Sequence, residues 1–192
     1  MKLPIQFAAV ALLAACAHPP PPPPPSAPPE PTLRARDFYP LHVGNQWTYE
    51  VRPDPEHRPR TVEILSEDSG YFIDSMNGRL REDDTGVRDE HRYLLENPVE
   101  PGHTWIAVQS IQATEHFMIT EAGHPCAVKA GTFGICAVVR MTEDVGHGKT
   151  LVLESTYAQG VGLVALRTSI ESADGPAVVQ TEIELLTYRL GS

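Results

Sequence analysis

The chain has 192 residues, with 15 Lys and Arg against 25 Asp and Glu, a net charge of −10. Lys2, Glu30, Arg34 and Arg36 are the Lys, Arg, Asp and Glu side chains before Asp37, so residues 37–192 carry 12 basic and 24 acidic groups, a net of −12. That balance argues against nucleic acid or an anionic membrane surface as the partner, because either needs a basic face.

The chain opens Met1-Lys2 and runs into an apolar stretch from Ile5 to Ala15, broken only by Gln6. This is shorter than the roughly 20 apolar residues a membrane-spanning helix requires. It reads as the core of a secretory signal over residues 1–15. Leu13-Ala14-Ala15-Cys16 resembles the lipobox of bacterial lipoprotein signals. The resemblance implies acyl (palmitate-type) lipid on Cys16, with cleavage leaving Cys16 as the new N-terminus. Each buried CH₂ contributes about 0.8 kcal/mol, so two or more chains hold a protein stably at a membrane. Ala17 stands where an Asp is absent, and by resemblance to the enterobacterial sorting pattern this points to the outer membrane, with the domain in the periplasm or at the cell surface.

Residues 17–36 read AHPPPPPPPSAPPEPTLRAR, with seven consecutive prolines from Pro19 to Pro25. Proline has no N–H and a fixed φ, which rules out helix and sheet ladders there. An extended polyproline tether of up to roughly 60 Å is expected over residues 16–36. Residues 37–192 then form one domain, long enough to bury a core.

From Trp47 onward the pattern alternates with period two. Trp47, Tyr49 and Val51 face one way and Thr48, Glu50 and Arg52 the other, as in a half-buried strand. Further strands are expected at Thr61–Glu67, Tyr71–Ser75, Arg88–Leu95, Trp105–Ile111, Glu115–Glu121, Ile135–Thr142, Thr150–Tyr157, Val161–Glu171 and Ala177–Leu190. A helix over Asp89–Glu96 is the alternative for one of these. Ser69-Gly70 and Asn77-Gly78 are hairpin signals, since the favoured two-residue turns need positive φ. The fold class is therefore all-β, an antiparallel meander forming one strongly curved sheet or a partly open barrel.

Two segments echo each other as P-[LV]-x-x-G-x-x-W: Pro40 to Trp47 and Pro98 to Trp105. One turn type used twice, with Trp closing an end of the core, accounts for the match. Tyr39-Pro40-Leu41, Gly44-Asn45, Trp47, Ala130-Gly131-Thr132-Phe133, and Gly160-Val161-Gly162-Leu163-Val164 together resemble a broad set of uncharacterised β-rich bacterial lipoproteins. The resemblance implies a curved antiparallel sheet on a lipoprotein and carries no activity or catalytic residues.

Cys126 and Cys136 flank a Gly-containing turn and would lie nearly opposite each other in a hairpin. An exported domain favours a disulfide between them, worth about 2–3 kcal/mol; two buried free thiols are the alternative. His124 beside two reduced cysteines would be the zinc reading, and a metal is not expected. Gly148-Lys149-Thr150 lacks the first glycine of a phosphate loop, since position 143 is Glu143. Glu82-Asp83-Asp84 is a carboxylate-rich hairpin tip that departs from calcium-loop spacing. No catalytic signature and no cofactor motif stands out, so the expected role is a non-catalytic binding or assembly module for an envelope protein. The alternative is a carrier of a lipid or other apolar ligand, in a concavity of several hundred Å³ lined by Trp47, Tyr49, Trp105 and Phe117.

Overall fold

The computed structural model describes residues 32–56, 58–111 and 113–191. The signal segment 1–15, Cys16 and most of the tether lie outside the described residues, as does His57. Within them, one short helix precedes twelve strands. These are α1 (Ala35–Phe38), β1 (Gln46–Arg52), β2 (Arg60–Asp68), β3 (Tyr71–Asp74), β4 (Arg79–Glu82), β5 (Gly86–Arg88) and β6 (Tyr93–Glu96). They continue with β7 (Thr104–Ser110), β8 (Ala113–Val128), β9 (Gly131–Gly146), β10 (Lys149–Ala158), β11 (Gly162–Ser172) and β12 (Gly175–Arg189).

All neighbours pair antiparallel in one sheet, ordered β6-β5-β4-β3-β2-β1-β12-β11-β10-β9-β8-β7. Two six-stranded meanders are thus joined where β1 pairs with β12, and the sheet nearly closes into a barrel with one unsealed seam. That seam falls between the terminal strands β6 and β7.

Register follows the alternation. On the inner face, Trp105, Phe117, Met141 and Leu153 align across β7–β10. On the outer face, Arg140, Glu154, Arg167, Glu182 and Arg52 align across β9, β10, β11, β12 and β1 with alternating sign. Opposite charges directly across strands favour pairing, and a one-residue slip would turn this row inward. Each exposed pair contributes only about 0–1 kcal/mol, so the row serves register more than stability.

The matching sequence segments fold into the same turn. Gly44 and Gly102 have φ of 92° and 91°, a region open to glycine at no steric cost. Gly44 N–H donates to Ile64 O and Gly102 N–H to Ile119 O, both at 2.8 Å. The two isoleucines donate back to Asn45 O and His103 O at 2.9 Å. Each turn then delivers a tryptophan into the core with its indole N–H on a backbone carbonyl: Trp47 on Val161 at 2.7 Å, Trp105 on Tyr93 at 3.0 Å. Gly162 lies against Trp47, where an added Cβ would sit 3.3 Å from the indole nitrogen.

Three local features differ from the sequence expectation. Arg88–Leu95 is neither a single strand nor a helix, because Asp89 accepts the N–H groups of His91 and Arg92 and reverses the chain between β5 and β6. Arg79–Glu82 forms a strand of its own, β4, which carries too few residues to show alternation. Leu33 to Arg36, at the end of the proline-rich stretch, belong to the folded body. Ala35 and Phe38 are fully buried, Ala35 N–H donates to Asn97 Oδ1, and Leu33 O accepts from Val99 N–H.

Cys126 and Cys136 form a disulfide, with their Cα atoms 5.9 Å apart. It ties the outer part of the β8–β9 hairpin, whose tip docks on β12. Lys129 N–H donates to Glu184 Oε1 and Ala130 N–H to Leu185 O.

Candidate functional site

The four aromatics considered as ligand-lining residues divide between two core clusters. Trp105 and Phe117 stack with centroids 5.2 Å apart and planes 6° from parallel, packed with Ile119, Val139 and Met141. Trp47 and Tyr49 pack with Ile64, Val164 and Leu185, and the Tyr49 hydroxyl donates to Leu163 O. All four are buried.

Interior space remains as a cleft of about 130 Å³. It is lined by Tyr39, Leu94, Phe117, Met141, Leu153 and Tyr157, with Arg92 at its polar side. Tyr39 is delivered from the chain following α1, a contributor with no alternation pattern to announce it. Its ring lies 5.9 Å from that of Tyr157 and 6.2 Å from that of Trp47. Burial pushes the Tyr157 hydroxyl up to about 12, with smaller opposing effects from its bond to Ser155 and from Arg92. Burial likewise raises Tyr39 and Tyr49, each further by the neighbouring tyrosines. All three phenols therefore stay neutral at physiological pH and serve as core side chains with polar tips.

The cleft lies behind the seam, which side chains bridge in three places. His103 Nε2 meets Glu96 Oε2 at 3.3 Å, and Trp105 Nε1 donates to Tyr93 O at 3.0 Å. Arg92 pairs with the buried Glu115, whose second oxygen accepts from Gln109 at 3.0 Å.

A larger concavity, about 550 Å³, lies on the solvent side of β7–β9, where Thr104, Ile106, His116, Met118, Arg140 and Thr142 surround it. Ile106 and Val108 are 63% and 68% exposed, and Met118 is 40% exposed. Arg140, at the groove wall, pairs with Glu171 at 2.9 Å. Sequence reasoning passed over these residues because alternation assigns them to the solvent side, where isolated apolar groups are ordinary.

Other chemistry is accounted for locally. Among the described residues no group of three or more His, Cys, Asp or Glu is placed to hold a metal ion. The disulfide removes both sulfurs from any site with His124. At the acidic tip, Asp83 Oδ1 accepts the N–H groups of Thr85 and Gly86, which closes the β4–β5 turn. Burial raises the Asp83 carboxyl, but these bonds, the Tyr93 hydroxyl and Arg81 outweigh it and hold the group below the usual carboxylate range.

The chain matches no known protein-family model and no curated protein. Two solved structures are similar to it. One is a Bacteroides fragilis protein assigned as exported, with a YmcC-like fold. It is 13% identical, covers 80% of this chain and 99% of its own, and has a TM-score of 0.43. The other is a Parabacteroides distasonis protein assigned as a lipoprotein, 12% identical over 79% of this chain and 98% of its own, with a TM-score of 0.38.

Proposed function

We propose that the chain is an exported lipoprotein, acylated on Cys16 and held at the outer membrane. Its β-domain is a non-catalytic binding or assembly module for another envelope protein. The ordered signal, Lys2, Ile5–Ala15 and Leu13-Ala14-Ala15-Cys16, supports the anchor. The module reading is carried by the solvent face of β7–β8, where Ile106, Val108 and Met118 stand exposed beside the 550 Å³ groove. Clustered apolar side chains on a soluble surface mark interaction sites, since covering them removes apolar area from water.

The two parts are tested separately. Replacing Cys16→Ser should abolish incorporation of an alkyne-tagged fatty acid and release the protein from membranes; unchanged labelling removes the anchor. A photo-crosslinking residue at Ile106 should trap one discrete partner in intact cells. The same probe at Leu65, exposed on β2, should not. Identical patterns at both positions would remove the module reading.

A second reading has its own observation, the apolar cleft lined by Tyr39, Phe117, Met141 and Leu153 behind the seam. Under a carrier role the seam would widen to admit an acyl chain, since about 130 Å³ holds only a short segment. Native mass spectrometry of protein from its own envelope would then show bound lipid, whereas lipid-free protein leaves the module.

A further inference from the structure

Strands β3 to β6 present an arrangement that the groove does not use. In register, Tyr71 faces Arg81 by extension of the Phe72–Leu80 pair, Arg81 pairs with Arg88, and Arg88 pairs with Tyr93. Arg79 lies on the same face, two residues before Arg81. The opposite face carries Leu80 and Val87, both buried. Three guanidinium groups and two phenol rings therefore share one solvent-facing strip.

Each guanidinium is backed by a ring. The Cζ atoms of Arg79 and Arg81 lie 4.9 Å and 5.2 Å from the Tyr71 centroid, and that of Arg88 lies 5.1 Å from the Tyr93 centroid. Such stacking orients a guanidinium and leaves its in-plane N–H donors pointing past the ring edge. The arrangement also carries costs. Like charges directly across strands repel, as Arg81 and Arg88 do. The Nε atoms of Arg79 and Arg81 are buried without a hydrogen-bond partner, and an unpaired buried donor destabilises.

Carboxylates offset only part of the charge. Glu90 pairs with Arg79 at 3.3 Å and Asp83 with Arg81 at 3.4 Å. Arg88 donates to the carbonyls of Asp89 and Glu90 at 3.0 Å and 3.5 Å, and among the described residues it forms no ion pair. A domain of net charge −12 thus keeps a strip on which three cations meet two anions.

We infer that this strip is an oxyanion site, and that the group it takes is a phosphate borne on a sugar or on a lipid headgroup. Two ring-backed guanidiniums on directly paired positions can donate to one tetrahedral oxyanion from two sides, and the third extends the contact along the strand. Phosphate offers several acceptor oxygens to such donors, and its charge relieves the repulsion between Arg81 and Arg88. The site is independent of the anchor and of the groove on β7–β9.

The test uses the full chain, labelled with ¹⁵N and titrated with pyrophosphate as the general probe. Glucose 1-phosphate and glycerol 1-phosphate separate the two sources. Saturable shifts should appear at Tyr71, Arg79–Arg81, Arg88 and Tyr93, and should weaken as salt rises. Arg88→Gln should weaken binding about tenfold, the loss expected for one charge-assisted contact. Arg88→Lys should restore only part of it, because an ammonium keeps the charge without the planar fork. Tighter binding of glucose 1-phosphate assigns the sugar source, and tighter binding of glycerol 1-phosphate the headgroup. Shifts spread over all surface arginines, or affinity unchanged in Arg88→Gln with its spectrum intact elsewhere, would overturn the site.

Discussion

The two meanders meet twice, and the two junctions are built from different materials. At β1–β12 a backbone ladder runs from Gln46 opposite Arg189 to Arg52 opposite Glu182. At β6–β7 there is no ladder; the edges are joined through His103, Trp105 and the Arg92–Glu115 pair. Both junctions begin from the same Gly-containing turn and the same inward tryptophan, so the turn does not decide the outcome. The facing strands differ in length. β12 offers fifteen residues to β1, whereas β6 has four, and the chain leaves it at Asn97-Pro98 to enter the next turn. A ladder distributes its stabilisation over many backbone bonds. Three side-chain contacts concentrate it in groups worth about 1 kcal/mol each, some of which depend on charge. The seam should therefore open at lower free energy than the rest of the sheet.

The largest effect is expected at the laddered junction. Leu185 is fully buried opposite Tyr49, in the cluster with Trp47, Ile64 and Val164. Leu185→Ala should lower global stability by about 2–5 kcal/mol, as large-to-small core changes do. Denaturant unfolding would measure it. A loss under about 1 kcal/mol would mean that the ladder holds without its packing, and the contrast with the seam would then rest on backbone bonds alone.

Trp105→Phe comes next. The ring on Phe117 is retained while the indole N–H on Tyr93 O is lost, which should cost about 1–3 kcal/mol for a bond removed from a partly buried acceptor. The location of the loss matters more than its size. Amide exchange should speed up along Tyr93–Glu96 and Thr104–Ser110 and stay slow between β1 and β12. Trp47→Phe, which removes the equivalent bond to Val161 O, should leave the seam's exchange unchanged. Equal acceleration at both junctions in either variant would show that the sheet opens as one unit.

These contrasts also show which features were legible in the sequence. Alternation at Trp47–Arg52 and Trp105–Ile111, and the positive-φ turn at Ser69-Gly70, are local properties, and the strands and that hairpin follow from them; at Asn77-Gly78 the hairpin forms, but through the longer loop 75–78 with only Asn77 at positive φ. The repeat from Pro40 and Pro98 is legible as a turn for the same reason. Closure of β1 on β12 joins residues 130 to 143 positions apart, from Arg52 with Glu182 to Gln46 with Arg189, and neither strand carries a local sign of its partner. α1 was hidden because its first two residues, Ala35 and Arg36, fall in the stretch that proline composition assigns to the tether. The aromatics illustrate the remaining gap. Trp105 and Phe117 are recognisable as large inward side chains. Whether such side chains line a space or fill it depends on what lies opposite, here each other and the Tyr39 that α1 brings in.

The smallest predicted effect isolates the charged part of the seam. Burial raises the Glu96 carboxyl above its ordinary value of 4.5. Its bond to His103 and that ring's charge oppose the shift, and Asp83 adds to it. A raised carboxyl means that the folded chain holds the proton more tightly than the unfolded chain does. Its contribution to stability is therefore fully present below pH 4.5 and is lost as pH rises through the folded value. Asp83 has the opposite sign: held low, it contributes above its ordinary value of 3.8 and loses that contribution as pH falls. Glu96→Gln keeps an oxygen for His103 and removes the titration. The variant should thus gain on the wild type as pH rises from 4.5, by less than about 1 kcal/mol, because the group keeps contact with solvent. Amide protection in β6 and β7 should follow the same pH course, while that between β1 and β12 stays flat. Parallel pH profiles for variant and wild type would assign the seam's stability to Trp105 and the Arg92–Glu115 pair, and a Glu96 effect spread evenly over the sheet would remove the distinction between the two junctions.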